Sequence, residues 1–483
     1  MDWENCVVKI LVKSLNLDFN RPLDNTDIDS SSGSGFFIEK NQILTCYHVI
    51  KYAVNIEIVY KQTNILIGEI MHIFPDDDLA IIKINENFDN IVILNFKELR
   101  LKKNNQPVYT IGFPGTDNVT ISKGIISGFR KSLIQTDATL NPGNSGGPLV
   151  MFDNKHDIWS IIGINVSKIS GDTENTGFAV PIYRFLKLKQ YIELNKIQSI
   201  IVKKPSWEFD YQLIKQESLR KFLFNTEKLK SAELMIGQKS TDLSLEYNFY
   251  NKYKIGVMVS EINAKNYLFK NFKKNDVLLS VNNNNTNFEK FFAKDYKYNE
   301  NDFNGYIDFN GYIKFDFYPD KISLHNIYYW FFINDLIEIK FFNYETKQIV
   351  TNTVKLEYYE NNMINFYNLN NYPCYFYENN NLILSIFTKQ HYENISKLNL
   401  KMTQLFKILN RFLYRNDLFT VYLCNINPKI YKDSKKFNKY PIGDIIVEIN
   451  DKMFNNYETF MLIIKDPIRS FKTIENKIYF IDN

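Results

Sequence analysis

The sequence predicts a mainly β N-terminal domain followed by two smaller modules of mixed α and β structure. Short apolar runs alternate with turn residues through residues 1–180, which is typical of a β-barrel or sandwich. After Pro181 the apolar residues change to a helical spacing. The chain has 483 residues, and at roughly 100–200 residues per domain this length fits about three domains. We predict domains at 1–200, 208–360 and 361–483.

The predicted strands of the first domain follow one another closely. They are VVKILVK, GFFIEK, QILTCYHVI, NIEIVY, LAIIKI, PVYTIGF, GIISGF, SIIGINV and GFAVP. Behind Pro181, the stretch IYRFLKLKQYIELNKI predicts a helix that ends the domain, since a helix often starts behind a proline. The stretch KKPSWE at 203–208 is then predicted to be a linker.

Both later modules mix strand and helix signals. In the first, KLKSAELMIGQKS, GVMVSEI and DVLLSVN predict strands, HNIYYWFFI predicts a helix, and LIEIKFFN with QIVTNTVKLEYY predicts a closing β-pair. An Asn-rich insertion at 282–311 predicts a long surface loop. In the second, NLILSIFT, LFTVYLCNI, GDIIVEIN and NKIYFI predict strands, and KMTQLFKILNRFLY and NYETFMLIIKD predict helices. The likeness of NDVLLSVNNNN to GDIIVEINDKM suggests two copies of one module.

Composition argues against several classes of function. Basic residues number 58 and acidic residues 54, with the signs interspersed, so no nucleic-acid surface is predicted. The four cysteines form no CxxC pair, which predicts neither a metal site nor a disulfide framework. No GxxxxGK[ST] loop occurs, so no ATP is implied. We expect no cofactor. Without a secretory leader or a run of about 18 apolar residues, we expect a soluble intracellular protein without a membrane partner.

The stretch TLNPGNSGGPLV at 139–150 carries the strongest chemical signal. Ser145 lies among glycines, which allow backbone conformations that other residues disfavour. The N–H groups of Gly143 and Ser145 can then point together into a small anion-binding nest. Acyl transfer requires such a nest for the oxyanion of its tetrahedral intermediate. A serine nucleophile also needs a histidine base and a carboxylate that orients the histidine.

Five histidines are candidates for the base. His48 lies just past an apolar strand, where a turn or short helix begins. His72 occupies a strand position that suits packing, and His156 lies in a polar turn. The two others, His325 and His391, fall in the later modules. Any of these histidines taken alone is more often structural than catalytic.

Three consecutive aspartates ahead of the strand LAIIKI supply the candidate carboxylate. Asp78 borders the apolar run directly, so we expect its side chain to turn toward the interior. Asp76 and Asp77 are predicted to be solvated turn residues.

These motifs occur in the order and spacing of one family. GSGFFIEKNQILTCYHVI, DDDLAIIKI, TIGFP, GIISGF, QTDATLNPGNSGGPLV, IIGINV and GFAVP resemble the HtrA/Deg serine proteases over nearly all of residues 30–185. Members of that family are chymotrypsin-like enzymes with C-terminal PDZ domains. The resemblance implies a double β-barrel in which His48 is the general base, Asp78 the orienting carboxylate and Ser145 the nucleophile. It also implies that the N–H groups of Gly143 and Ser145 form the oxyanion hole.

The same resemblance implies where the substrate binds. Thr139, six residues before the nucleophile, would lie at the base of the pocket for the residue on the N-terminal side of the cleaved bond. Because Thr139 is uncharged, we expect a small or medium apolar residue there. The substrate backbone is expected to pair as an additional strand with Gly163, Ile164, Asn165 and Val166.

The later modules resemble the divergent PDZ domains of plant-type Deg proteases. GVMVSEINAKNYLFKNFKKNDVLLSVNN carries the resemblance, although Asn275 stands where the family usually has glycine. The loop that would hold a peptide carboxylate is LMIGQ at 234–238. The second module has NLILSIF at that place, without a glycine, which favours an assembly or regulatory role.

The resemblance therefore implies an ATP-independent serine endopeptidase that acts on unfolded or extended polypeptides. Hydrophobic C-termini are possible ligands of the first PDZ-like module, and the family's assembly as trimers or multiples of trimers is expected here. Two alternatives stay open. One is a chaperone-like or PDZ scaffold whose protease site is inactive at rest. The other is a dedicated processing protease, as some viral relatives of the fold are.

Overall fold

The computed structural model describes nine stretches of the chain, several of them with short gaps, and two isolated residues. They are residues 2–15, 28–97, 105–166, 176–219, 254–281, 305–357, 376–388, 420–426 and 440–481, with His391 and Gln404. The predicted strand KLKSAELMIGQKS with its LMIGQ loop, the Asn-rich insertion up to residue 304, and most of HNIYYWFFI and KMTQLFKILNRFLY lie outside them. The chain forms two compact units. One comprises Met1–Leu11, Ser32–Val49 and Glu57–Tyr359, and the other comprises Val12–Ser31, Ile50–Ile56 and Glu360–Asn483.

Six strands close the first barrel in the order β1-β2-β3-β6-β5-β4. They are β1 (Val7–Leu15), β2 (Ile28–Glu39), β3 (Gln42–Cys46), β4 (Ala53–Tyr60), β5 (Asn64–Phe74) and β6 (Leu79–Ile84). Their inward residues are mostly Ile, Val and Leu, which suit a pleated surface. Helix α1 (Tyr47–Ile50) follows β3, and the 3₁₀ turn Pro75–Asp77 joins β5 to β6. These two connections place the first candidate site residues at one rim of the barrel.

Seven further strands form the second sheet, and six of them close the second barrel. They are β7 (Asn95–Phe96), β8 (Pro107–Gly112), β9 (Thr120–Arg130), β10 (Leu133–Thr136), β11 (Pro148–Asp153), β12 (Ile158–Val166) and β13 (Gly177–Pro181). The order β11-β8-β9-β10-β13-β12 closes because β11 also pairs with β12, and β7 adds to the outside of β12. The predicted mainly β double barrel is therefore confirmed. Helix α2 (Ile182–Asn195) begins directly after Pro181, as predicted.

A five-stranded antiparallel sheet forms the centre of the next module, in the order β14-β15-β16-β19-β20. Its strands are β14 (Asp210–Leu213), β15 (Val257–Glu261), β16 (Val277–Val281), β19 (Leu336–Asn343) and β20 (Gln348–Lys355), and a separate hairpin joins β17 (Tyr312–Lys314) to β18 (Lys321–Ser323). The strands predicted from GVMVSEI and DVLLSVN and the closing β-pair are confirmed.

The linker predicted at 203–208 is not a solvated connection. Lys204 and Trp207 are each 5% exposed. Trp207 belongs to the hydrophobic core of the module that follows. On the side of the barrels, the ring of Tyr191 in α2 stacks on Phe332 with 4.7 Å between centroids. The segment is buried because it runs between these packed surfaces, and the residues named here all lie in the first compact unit.

The C-terminal module is a sheet in the order β21-β22-β23-β24-β26-β27, with β25 paired to β24. Its elements are β21 (Phe376–Asn379), β22 (Leu382–Ile386), β23 (Val421–Ile426), β24 (Ile445–Ile449), β25 (Lys452–Met453), helix α3 (Tyr457–Ile463), β26 (Ser470–Thr473) and β27 (Ile478–Phe480). The Asn456 side chain caps α3 by accepting the Thr459 N–H at 2.8 Å. The strands predicted from NLILSIFT, LFTVYLCNI, GDIIVEIN and NKIYFI and the helix predicted from NYETFMLIIKD are confirmed. The likeness of the two modules to PDZ domains stays a prediction.

Across the described part of the chain, no helix combines the length and the apolar character that crossing a membrane requires.

Candidate active site

His48 and Asp78 are brought together by the two connections at the rim of the first barrel. The strand β3 ends at Cys46, so His48 falls in the first turn of α1. Asp78 follows the 3₁₀ turn in a left-handed conformation with φ of 54°. One oxygen, Oδ1, accepts the His48 backbone N–H at 2.9 Å. The other, Oδ2, lies 2.7 Å from His48 Nδ1. An Nδ1–H that donates to the carboxylate leaves Nε2 as the basic nitrogen.

The burial predicted for Asp77 and Asp78 is wrong. Asp77, predicted to be solvated, is the buried carboxylate of the three, with 1% exposure. Its Oδ2 lies 3.3 Å from Lys204 Nζ, and its Oδ1 lies 4.0 Å from the Arg184 guanidinium. The side chain of Asp78 is 32% exposed. The 3₁₀ turn causes this exchange, because it points Asp77 into the packing against α2 and leaves Asp78 at the rim.

Burial lowers the pKa of Lys204, although the neighbouring Asp77 opposes that shift. The ammonium group of Lys204 also lies 4.1 Å from the ring centroid of Phe332. A cation over an aromatic face is attracted by the negative face of the ring, and the attraction is larger where water is excluded. The turn that carries Asp78 is therefore backed by a buried charge cluster, Asp77, Arg184 and Lys204, which also contacts the module after the barrels.

The loop that carries Ser145 packs closely against β2 and the end of β3, just before His48. A Cβ atom added at Gly146 would lie 3.0 Å from the Cys46 nitrogen and would collide with the Ser34 carbonyl oxygen. A Cβ added at Gly33 would lie 3.2 Å from the Ser145 carbonyl oxygen. The loop of the second barrel thus packs against the first barrel beside α1, and only glycine allows so close an approach.

Gly143 has the conformation that the sequence predicted for it. Its φ is 100°, and a Cβ atom there would collide with the Phe113 carbonyl oxygen. The carbonyl of Asn141 accepts the Asn144 N–H at 3.0 Å, and that of Asn144 accepts the Gly147 N–H at 3.1 Å. Among the described residues, no backbone carbonyl accepts the Gly143 N–H.

The other described histidines have structural settings. His72 is 3% exposed, and burial lowers its pKa, as the packing role predicted in β5 requires. His156 lies in an exposed turn with Nδ1 3.2 Å from Asp153. His391 is fully buried between Ser385 and Thr388, and burial lowers its pKa to about 3. His325 lies outside the described residues.

Cys46 is a further buried group behind the His48–Asp78 pair. Its Sγ donates to the Asn165 carbonyl oxygen at 3.3 Å. Burial, with the Asp78 charge, raises the thiol pKa well above its usual value. Ligand atoms of Cys46, His48 and Asp78 lie within 4.8 Å of one another. A protonated thiol and a carboxylate already bonded to His48 are poor metal ligands, since cysteine binds metals as the thiolate.

The predicted pairing of substrate with Gly163–Asn165 is wrong. Gly163 and Ile164 already have β11 on one side and β13 on the other. Asn165 pairs with Ala179 of β13, while its N–H donates to Gly147 and its carbonyl accepts from Gly146, each at 2.8 Å. Closure of the barrel occupies both edges of these three residues. The fourth residue, Val166, pairs with Phe178 on the β13 side.

Thr139 lies in the same loop as Ser145. Its side chain is exposed, and its carbonyl accepts a hydrogen bond from Thr110 at 3.2 Å. Its role at the base of a specificity pocket stays a prediction.

Two barrels with these strand orders form a chymotrypsin-like fold, with the His48–Asp78 pair on one barrel and Ser145 on the other. The family model described as the trypsin-like peptidase domain matches residues 33–164. More particularly, this part of the chain is similar to serine proteases of the HtrA/Deg kind. The putative serine protease HhoB of Synechocystis is 32% identical over 168 residues, 32% of this chain and 38% of that protein. The serine protease Do-like HtrA of Bacillus subtilis is 34% identical over 176 residues, 32% of this chain and 38% of that protein.

The chloroplastic Protease Do-like 1 of Arabidopsis thaliana is 30% identical over 175 residues, 33% of this chain and 39% of that protein. This chain thus spans about two fifths of the length of the curated relatives that it matches. Among solved structures, the HtrA-type protease AlgW with tripeptide is 19% identical, with a TM-score of 0.46 over 73% of this chain and 93% of that chain. The fold assignment rests on the strand order of the two barrels.

Proposed function

We propose that this protein is a serine endopeptidase of the HtrA/Deg type that uses Ser145, His48 and Asp78. The observation that carries the proposal is the double contact of Asp78 with His48, through Nδ1 at 2.7 Å and through the backbone N–H at 2.9 Å. This contact fixes both the tautomer and the position of the imidazole. A turn that only capped α1 would not need the second carboxylate oxygen on the ring.

The proposed reaction proceeds through an acyl-enzyme. Ser145 Oγ attacks the peptide carbonyl while His48 Nε2 takes the hydroxyl proton, and Asp78 stabilises the imidazolium. The N–H groups of Gly143 and Ser145 bind the oxyanion. His48 then gives the proton to the leaving amine as the C–N bond breaks. Water attacks the ester by the same route, which releases the new carboxylate and restores Ser145.

The proposed substrates are unfolded or extended polypeptides, with no requirement for ATP. A small or medium apolar residue before the cleaved bond is proposed because Thr139 supplies no charge. We also propose that the chain acts as a trimer or a multiple of trimers, and that the first later module binds hydrophobic C-termini. Similarity to HtrA/Deg proteases supports these proposals.

Casein cleavage and labelling by a fluorophosphonate probe test the proposal. The wild-type protein should cleave casein without ATP and react with the probe, and Ser145→Ala should do neither. His48→Ala should lose turnover while its urea midpoint changes little, because the side chain of His48 is 40% exposed. If the wild type neither cleaves nor labels, even with hydrophobic C-terminal peptides added, a binding scaffold replaces the peptidase as the function.

A further inference from the structure

Ser34 is a buried hydroxyl that the proposed mechanism does not use. It lies in β2, on the first barrel, and is 0% exposed. Its Oγ donates to the Gly143 carbonyl at 2.6 Å and accepts the Phe113 N–H at 2.9 Å. Its backbone N–H donates to the Ser145 carbonyl at 2.8 Å. Ser34 of the first barrel thus donates hydrogen bonds to the carbonyls of Gly143 and Ser145, the residues on either side of Asn144.

These two carbonyls belong to rigid peptide planes that flank the Asn144–Ser145 peptide. When the planes after Gly143 and after Ser145 are both held, the dihedrals of Asn144 and Ser145 between them lose most of their freedom. Those dihedrals set where the Ser145 N–H and Oγ point. The contacts of Ser34 therefore act on the direction of an oxyanion donor and of the nucleophile without touching substrate.

Ser34 is itself held in place. Its carbonyl accepts a hydrogen bond of 2.7 Å from the hydroxyl of Thr45, which lies three residues before His48. The absence of a side chain at Gly112 leaves room for its hydroxyl, since a Cβ there would lie 2.7 Å from Ser34 Oγ and 2.8 Å from Asn144 Oδ1. The Phe113 N–H bond joins the same hydroxyl to the turn against which Gly143 packs. Ser34 thus links the strand before His48 to the loop of Ser145.

We propose that Ser34 is a positioning residue that holds residues 143–147 in the conformation able to bind an oxyanion. This inference rests on the proposed peptidase function. The Ser34 hydroxyl fixes the Gly143 carbonyl behind the loop, so that the adjoining N–H groups face the reacting carbonyl. It contributes to the rate of the chemical steps and little to ground-state binding of substrate.

The test compares Ser34→Ala and Ser34→Cys with Ser32→Ala, an exposed serine two residues earlier in the same strand. Loss of a direct oxyanion donor costs about 10²–10³-fold in kcat, so loss of a group that only positions one should cost about 10–100-fold. KM should stay within about twofold. Ser34→Cys keeps most of the volume but offers a weak S–H donor, so it should be as slow as Ser34→Ala. Ser32→Ala should match the wild type in both constants.

Hydrogen exchange of the 143–147 amides supplies a readout that needs no activity. Ser34→Ala and Ser34→Cys should each speed exchange of the Gly146 and Gly147 amides about tenfold, with the β5 and β6 amides unchanged. Wild-type exchange in both variants, or full recovery of kcat by Ser34→Cys, would overturn the inference. If Ser34→Ala does not fold, the cysteine variant decides. If the wild type shows no peptidase activity, the proposed function fails, while exchange still tells whether Ser34 holds the loop.

Discussion

The loop that carries Ser145 and the turn that carries Asp78 meet at one site but are held by opposite kinds of interaction. The loop, residues 143–147, is fastened by uncharged groups, chiefly Ser34 and the backbone of Asn165. The turn, residues 75–78, is backed by the buried charge cluster. A neutral hydrogen bond contributes about 1 kcal/mol, and its loss has local consequences. Buried charges depend on one another, because removing the Asp77 carboxylate would leave two buried cations without a counter-charge.

The neutral hydrogen bonds and the charge cluster have different effects on the site. Neutral hydrogen bonds fix the loop in one conformation with little dependence on pH or salt, which suits the proposed oxyanion hole. The charge cluster ties the turn to α2 and, through Lys204 and Phe332, to the module after the barrels. The position of Asp78 therefore depends on packing far from the site. The position of Ser145 depends instead on contacts between the two barrels.

The largest expected effect distinguishes Asp78, the proposed catalytic aspartate, from Asp77, the buried aspartate of the same turn. Asp78→Asn should lower kcat about 10⁴-fold, because an amide favours the wrong imidazole tautomer. The urea midpoint should change little, since the side chain of Asp78 is 32% exposed. Steady-state kinetics and urea unfolding on the same preparation check both statements. An Asp78→Asn enzyme that kept wild-type turnover would remove Asp78 from the mechanism.

The next-largest effect tests whether turnover depends on the backbone conformation of Gly143 in the loop that carries Ser145. Gly143→Ala should lower kcat about 10²–10³-fold, the range expected when an oxyanion donor is lost. Its φ of 100° and the Phe113 carbonyl leave no room for a methyl group, so the loop must shift. Gly128→Ala is the matched control, because the nearest atom to its Cβ would be Gln135 Oε1 at 4.0 Å. The comparison fails if the two alanine variants have equal turnover.

Removal of Asp77 tests the charge cluster itself. Asp77→Ala leaves Arg184 and Lys204 buried without their carboxylate, so it should lower the free energy of unfolding by about 3–5 kcal/mol. Asp76→Ala, in the same turn but only half-buried, should change it by less than about 0.5 kcal/mol. Urea unfolding at neutral pH measures both. Equal stability of the two variants would mean that the cluster does not support the turn.

Within the charge cluster, the smallest expected effect on stability comes from removing Lys204, one of its two cations. Lys204→Met leaves Asp77 and Arg184 as a balanced pair, so at neutral pH it should change the free energy of unfolding by no more than about 1 kcal/mol, in contrast to Asp77→Ala. A loss as large as that of Asp77→Ala would show that Lys204, and not the balance of charge, holds the turn.

The pH dependence of the same variant follows from the lowered pKa of Lys204. Above the folded-state pKa, and up to the unfolded value of about 10.4, the unfolded chain binds more protons than the folded chain. The stability of the wild type relative to Lys204→Met should therefore rise with pH in that window. Urea midpoints of both proteins from pH 7 to 10 measure it, and parallel curves would contradict the shift.

Much of this site was predictable because its motifs are local. The glycines around Ser145 and the strand before His48 depend on backbone preferences that a short stretch of sequence expresses. The exchange of burial between Asp77 and Asp78 was not predictable, since it depends on Arg184 and Lys204, more than a hundred positions later in the chain. Ser34 was missed for the same reason, although it stands in the stretch GSGFFIEK. Its partners at Gly143 and Ser145 lie over a hundred residues away.

The division of the site between the barrels has a consequence for protein engineering. His48 and Asp78 belong to the half that ends with β6 at Ile84, whereas Ser145 belongs to the half that begins with β7 at Asn95. A chain cut between these two strands would yield one fragment with the proposed base and no nucleophile, and another with the proposed nucleophile and no base. Peptide cleavage by such a pair would report reassembly of the fragments, which makes the junction between the barrels a rational position for a split enzyme.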